Sequence, residues 1–321
     1  MDYVQGKTCN TAYEDVVAEI ARHEIGRDAS LTPIPTYPDS IVYEVAAGER
    51  TWIFKAMEPH GRDRDGIALE AWSCEKAREA GLPAPRVHLL DTSCSRFPAS
   101  FLMMEKAAGE SLERLALSDN VDLEAALREL GSLMRTLHEI EIPGYGWLDE
   151  TYYRTEGVAR GSSDSWNEAL FGTVPESIEY LARTAALSAE EIEQIVTLIQ
   201  RATPLVDPRP ASRLLHGDLG LVHVWLDPET MSISALIDFG ECMSGDPVYD
   251  FCDLDLEPHL FTCVVGGYFG ETPPPEGFYD RVWLYAFARS IPWAMKWHER
   301  GHLQVIDWVR HLLRAASREH P

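Results

Sequence analysis

His216-Gly217-Asp218 is followed, five residues after Asp218, by His223, and beyond a short apolar hairpin by Ile237-Asp238-Phe239-Gly240. The runs Val222 to Leu226 and Ser232 to Ile237 have strand character and turn at Asp227-Pro228. A hairpin with Asp218 at its entrance and Asp238 at its exit brings both carboxylates to the same end. His223 lies between them and is able to bind a metal ion. Each motif alone says little, since Asp218 could be an ordinary turn or cap aspartate and Asp-Phe-Gly recurs by chance. Their order and spacing together are specific.

As a set they resemble a kinase catalytic loop. Phosphoryl transfer asks for a carboxylate that orients the attacking hydroxyl and accepts its proton, and for hard ligands that hold Mg²⁺ against a triphosphate. Upstream residues agree. Lys55 ends the strand-like run Thr51-Trp52-Ile53-Phe54-Lys55, where an inward cation needs a partner or an anionic ligand. Glu70, early on the next helix, can reach back to it; Glu75 and Glu79 are the alternatives, and a plain sheet-edge lysine is the bland reading.

Outward from this segment the chain divides in two. Helical spacing over Tyr13 to Ile25 stops at Gly26. Ile41 to Val45 and Thr51 to Lys55 then read as strands joined by Ala46 to Arg50. A helix is predicted over Asp65 to Ala80, ending at Gly81-Leu82-Pro83, and strands over Arg86 to Leu90 and Ser100 to Glu105. Beyond Gly109 helices dominate: Leu123 to Ile140, Ser165 to Ala185, Ala189 to Ala202, Phe278 to Glu299 and Leu303 to Arg318. Tyr145 to Asp164, rich in Gly, Ser and charge, reads as an exposed connection. The plan is α+β with two lobes, 1–106 and 107–321, the boundary falling near Lys106 to Gly109.

At 321 residues, 45 % apolar and 25 % charged, the chain can bury a sizeable core. Its 52 acidic and 28 basic side chains leave a formal net charge of -24, which repels nucleic acid and anionic membranes. The six cysteines contain no C-x-x-C pair and read as small apolar residues rather than a disulfide frame or zinc site. The N-terminus has no signal pattern, and the longest apolar stretch, Leu260 to Phe269, is too short to span a bilayer. A cytoplasmic location is expected. His88, His138 and His259 read as packed or surface histidines, and Trp283, Trp293, Trp297 and Trp308 as packing between the last helices. No G-x-S-x-G hydrolase motif occurs.

His216-Gly217-Asp218, Asp238-Phe239-Gly240 and the following Gly245-Asp246-Pro247-Val248-Tyr249-Asp250 resemble the aminoglycoside phosphotransferase family. So do Gly81-Leu82-Pro83-Ala84-Pro85 and Phe101-Leu102-Met103-Met104-Glu105. The resemblance covers most of the chain. It implies a protein-kinase-like fold: an N-terminal nucleotide-binding lobe and a helical lobe for catalysis and acceptor binding. ATP or GTP would lie in the cleft behind a Met103 to Lys106 hinge, with Met104 and Glu105 beside it. By the same match Asp218 looks like the catalytic base, Asp238 and His223 the Mg²⁺ ligands, and Lys55, paired with Glu70, the phosphate-binding lysine. Asp250 would brace the catalytic loop.

Two departures stand out. The family usually has Asn where this chain has His223. Macrolide phosphotransferases, a related group, carry His there. The phosphate loop Tyr37-Pro38-Asp39-Ser40 holds no glycine, leaving backbone amides and the Ser40 hydroxyl to meet phosphate. The resemblance implies an antibiotic acceptor, and an aminoglycoside comes first. A macrolide is second, with choline- or homoserine-like metabolites behind. From Arg213 to Arg281 no Lys or Arg intervenes among thirteen acids, which favours a cationic acceptor. A nucleotide-binding pseudokinase is the non-enzymatic alternative; the joint presence of Lys55, Asp218 and Asp238 speaks against it.

Overall fold

The computed structural model describes residues 8–36, 39–57, 66–117 and 121–319. Its N-terminal part is an antiparallel sheet of β1 (Ser30–Pro33), β2 (Ser40–Ala47), β3 (Arg50–Met57), β4 (Val87–Asp91) and β5 (Phe101–Glu105), in the order β1-β2-β3-β5-β4. Two helices accompany it, α1 (Glu14–Glu24) and α2 (Ile67–Glu79). Alternation of side chains decides which residue meets which helix. Tyr43, Val45, Trp52, Phe54, Ala56 and Met103 share one face and pack with Val17, Ile20 and Ala21 of α1. Ile53, Met57, Leu102 and Met104 occupy the other and meet Ile67 and Ala71 of α2. Lys55 has the parity of Ile53 and Met57, so a cation is buried on the α2 side.

The expected helices and strands of this part lie within a few residues of the observed ones, and β1 is an addition. Asp65, where the second helix was expected to begin, lies outside the described residues; the helix starts after Gly66, whose φ of 68° suits glycine.

Beyond Glu105 two small sheets sit among helices. Glu110–Ser111 pairs with Val224–Asp227, which pairs with Ser232–Leu236. The second sheet runs Gly161–Ser163, Tyr145–Leu148, Met243–Gly245, Arg213–Leu215. Tyr145 to Asp164 is therefore not an exposed connection: it supplies two strands and the helix Glu150–Glu156. Its glycines serve close backbone approach, because a Cβ on Gly161 would collide with Tyr145 and with the Ser244 hydroxyl. Ser165 to Ala185 is likewise two helices, Trp166–Phe171 and Val174–Arg183. Pro175 lacks an N–H and fits only a first turn, so a new helix starts there.

The helix Leu123–Leu137 crosses Pro258–Phe269 with backbones in contact, since a Cβ on Gly131 would strike Val264 and one on Gly267 would strike Arg128. The apolar run ending at Phe269 is thus a packed helix. No helix among the described residues is long and apolar enough to cross a membrane. Leu127, Leu130 and Met134 join Leu215, Phe239, Phe251 and Tyr285 in the main core. A second core gathers Leu181, Ile195, Phe287, Ile291 and Val309, and the four late tryptophans pack against it. Among the described residues no cysteine forms a disulfide; Cys74, Cys242 and Cys263 are buried as expected, whereas Cys9 and Cys94 are exposed.

The two parts are tied directly. Leu236 N–H donates to Pro83 at 2.7 Å and Gly66 N–H to Glu150 Oε2 at 3.0 Å. At the entry to β2, Asp39 Oδ2 accepts from Arg300 Nη2 at 2.6 Å, just past the long helix Phe278–Glu299.

Candidate active site

The site is built on a carboxylate that faces no solvent. Asp250 is fully buried; its Oδ2 accepts from the His216 N–H at 2.8 Å and its Oδ1 from the Gly217 N–H at 2.9 Å. His138 Nε2 donates to Oδ2 at 3.0 Å, and its Nδ1 then accepts from the Tyr268 hydroxyl at 3.1 Å. Burial pushes the Asp250 pKa up, but the hydrogen bond from His138, the neighbouring His138 and His216 rings and the Gly217 backbone donor outweigh it and hold the carboxyl below its usual range. These bonds pin the backbone immediately before Asp218. Gly217 is dictated by that turn: φ is +81°, and a Cβ would overlap the Glu241 carbonyl.

His216 links the two ends of the hairpin. Its Nε2 donates to the Ile237 carbonyl at 2.9 Å, next to Asp238, and its ring lies 4.7 Å from that of Phe239. Among the described residues its buried Nδ1 has no hydrogen-bond partner, and burial lowers its pKa. Asp238 itself has φ 66° and ψ 58°, a left-handed conformation that costs a non-glycine residue free energy.

Lys55 Nζ donates to Glu70 Oε1 at 2.8 Å and to Asp238 Oδ1 at 2.6 Å. Of the three acids that could have paired with Lys55, Glu70 is the partner; it is 1 % exposed. Burial works against the Lys55 charge, yet the two carboxylates prevail and raise its pKa. Burial likewise raises Glu70, and the nearby Asp238 charge adds to that. For Asp238 burial is outweighed by Lys55 above all, and its pKa falls. Gly240 completes the cluster, since a Cβ there would stand 3.3 to 3.4 Å from Asp238, Glu70 and Lys55.

Asp218 and Asp238 remain 40 % and 42 % exposed in their side chains, so both face open space. His223 stands between them: Nδ1 donates to the Asp218 carbonyl at 2.6 Å, and Nε2 lies 3.5 Å from Asp238 Oδ2. With Nδ1 carrying the proton, Nε2 offers its lone pair on the side of the Asp238 carboxylate. This pair fits a divalent cation whose remaining ligands come from elsewhere, and among the described residues no group of three or more His, Cys, Asp or Glu could hold one alone.

Other candidates lie further off. Ser40 begins β2, its hydroxyl against the Met57 thioether at 3.9 Å, two β3 positions beyond Lys55. Tyr37 and Pro38 lie outside the described residues. Met104 is buried opposite Ile53, and Glu105 is exposed at the end of β5. His88 and His259 are surface residues as expected, while His138 is packed and bonded to Asp250.

Arg289 was not anticipated. Its Nη2 donates to Asp218 Oδ1 at 2.9 Å and its Nη1 pairs with Asp253. The protein packed around one side of Asp218 strips water from it and raises its pKa, but Arg289 first, then His223, bring it below the ordinary value. A hint was present in Arg281, Tyr285 and Arg289, spaced four apart on one helix face.

Comparison with known proteins bears on the fold and the family. Aminoglycoside phosphotransferase APH(4)-Ia aligns with a TM-score of 0.74 at 15 % identity, covering 96 % of this chain and 99 % of that one. A ternary complex of a thermostable mutant of that protein with AMP-PNP and hygromycin B aligns at 0.69 and 17 % identity, over 94 % and 98 %. A Thermobifida fusca protein provisionally called a fructosamine-3-kinase aligns at 0.69 and 18 %, over 94 % and 98 %. These likenesses show a kinase-like α+β fold. The profile of a family described as "Phosphotransferase enzyme family" matches residues 31–283, well over half of the sequence, and the chain belongs to that family.

Proposed function

We propose that the chain transfers the γ-phosphoryl group of ATP or GTP to a hydroxyl of an aminoglycoside antibiotic, acts in the cytoplasm and makes its host resistant. The observation that carries this reading is the meeting of Lys55 and Glu70, from the sheet and α2, with Asp218, His223 and Asp238 across the cleft. Lys55 is suited to grip the α- and β-phosphates. Asp238 and His223 would hold Mg²⁺, which when bound supplies positive charge against the phosphate oxygens. Asp218 orients the acceptor hydroxyl and takes its proton as the oxygen bonds to phosphorus and the bond to the nucleoside diphosphate breaks. The products are the phosphorylated acceptor, the diphosphate and a proton.

Several of the thirteen acids are spoken for inside the fold: Asp246 by Arg281 and Tyr285, Asp250 by His138, Asp253 by Arg289. Asp255, Glu257, Glu271, Glu276 and Asp280 stay exposed and supply a long-range attraction for a cationic acceptor.

The test is label transfer from γ-labelled ATP and GTP to a panel of aminoglycosides, macrolides and small amino sugars or amino alcohols. Label on an aminoglycoside, with an acceptor KM that rises with salt, supports the reading. Label on a macrolide or a metabolite replaces the acceptor. Nucleotide binding with no transfer to any of them would favour a pseudokinase.

A further inference from the structure

Arg289 stands where the orientation of the base is decided. It is the third residue of the stripe Arg281, Tyr285, Arg289 on the helix Phe278–Glu299. The first two bond Asp246 Oδ2 at 2.7 and 2.8 Å, and Asp246 is almost wholly buried. On its other side the helix sinks Phe287, Ile291 and Ala294 into the second core. The helix therefore cannot roll, and Arg289 is carried to the catalytic loop by packing.

The guanidinium is held from both sides before any ligand arrives. Nη2 donates to Asp218 Oδ1, Nη1 pairs with Asp253, and the group stands 5.8 Å from the Tyr249 ring centre. Among the described residues only Oδ1 of the Asp218 carboxylate accepts a hydrogen bond. Oδ2 lies 3.9 Å from His223 Nδ1, too far for a hydrogen bond, and the Nδ1 proton is given to the Asp218 carbonyl instead.

We propose that Arg289 is a positioning residue for Asp218, fixing the carboxylate through Oδ1 so that Oδ2 alone is presented to the acceptor hydroxyl; this rests on Asp218 being the base. A cation on Oδ1 makes Asp218 a weaker base. Phosphoryl transfer tolerates that, because little bond formation precedes loss of the leaving group and placement matters more than basicity. Asp253 keeps Arg289 from swinging towards the acceptor or the phosphates.

The experiment is a double-mutant cycle on the purified chain with the acceptor identified by label transfer. Arg289→Met should lower kcat about 10- to 100-fold while both KM values stay within about twofold, the signature of lost orientation rather than lost binding. Arg289→Lys, which keeps the charge, should recover part of kcat, and Asp253→Asn should lose several-fold. Asp218→Ala/Arg289→Met should be no slower than Asp218→Ala alone, because Arg289 acts only through Asp218. The proposal is overturned by a folded Arg289→Met with normal kcat, by a rise confined to the acceptor KM, or by losses that multiply in the double variant. A near-normal Asp218→Ala would instead sink the base assignment, and the cycle separates the two failures. If Arg289→Met does not fold, Arg289→Lys and Asp253→Asn decide: unchanged kcat in both overturns the proposal.

Discussion

Lys55 Nζ lies 2.8 Å from Glu70 Oε1 and 2.6 Å from Asp238 Oδ1, so one buried ammonium joins the sheet, α2 and the Asp-Phe-Gly turn. Lys55→Met leaves Glu70 buried without its cation and should cost about 3–5 kcal/mol of stability. Thermal unfolding checks this, and Glu70→Gln in the same background should restore part of the loss. Triphosphate affinity should fall in the single variant, read by nucleotide titration.

Asp218→Ala should lower kcat by about a hundredfold or more while nucleotide affinity stays near that of the parent. Asp238→Ala should abolish metal-dependent turnover. A variant at Asp238 with normal Mg²⁺ dependence would remove that residue from the metal site.

His223 is tested by metal demand. His223→Asn offers an oxygen ligand of similar reach and should stay active. His223→Ala should need a higher Mg²⁺ concentration for half-maximal rate. An unchanged requirement in His223→Ala would show that the imidazole serves the loop through its bond to the Asp218 carbonyl and nothing more.

Asp250 makes stability depend on pH in a stated direction. Its carboxyl has a lower pKa folded than unfolded, where about 3.9 is ordinary. Its contribution is therefore complete above about pH 4 and is lost as pH falls through the lower, folded value. Asp250→Asn should be about 3 kcal/mol less stable at pH 7, the order of two charge-assisted hydrogen bonds weakened. In urea denaturation the deficit should shrink as the pH is taken below 4.

What could be read from the residues alone follows from how local the physics is. Asp218, His223 and Asp238 are within one hairpin, so order and spacing already place them together. Lys55 was readable because a cation on a buried strand demands a partner, although only the packing of α2 selects Glu70 over Glu75 and Glu79. The spacing of Arg281, Tyr285 and Arg289 hints at a shared helix face, but the contact of Arg289 with Asp218 spans 71 positions and is set by the rotation of that helix. His138 was hidden for the same reason, its bond to Asp250 spanning 112 positions. Tyr145 to Asp164 misled because glycine and serine suit both a solvated loop and a crowded strand pair, and only the neighbours distinguish them.

The Arg300–Asp39 pair has a kinetic consequence. It joins the entry of β2 to the end of the long helix, one partner on each side of the cleft. On the proposed function, a parting of the two sides that lets a spent diphosphate leave would first separate these charges. The toll falls on the exit rate and leaves the bond-making step untouched, so turnover limited by departure would quicken when the pair is removed. Arg300→Ala should thus release a fluorescent diphosphate faster in stopped-flow, and added salt should narrow the gap to the parent chain by weakening the parent's pair.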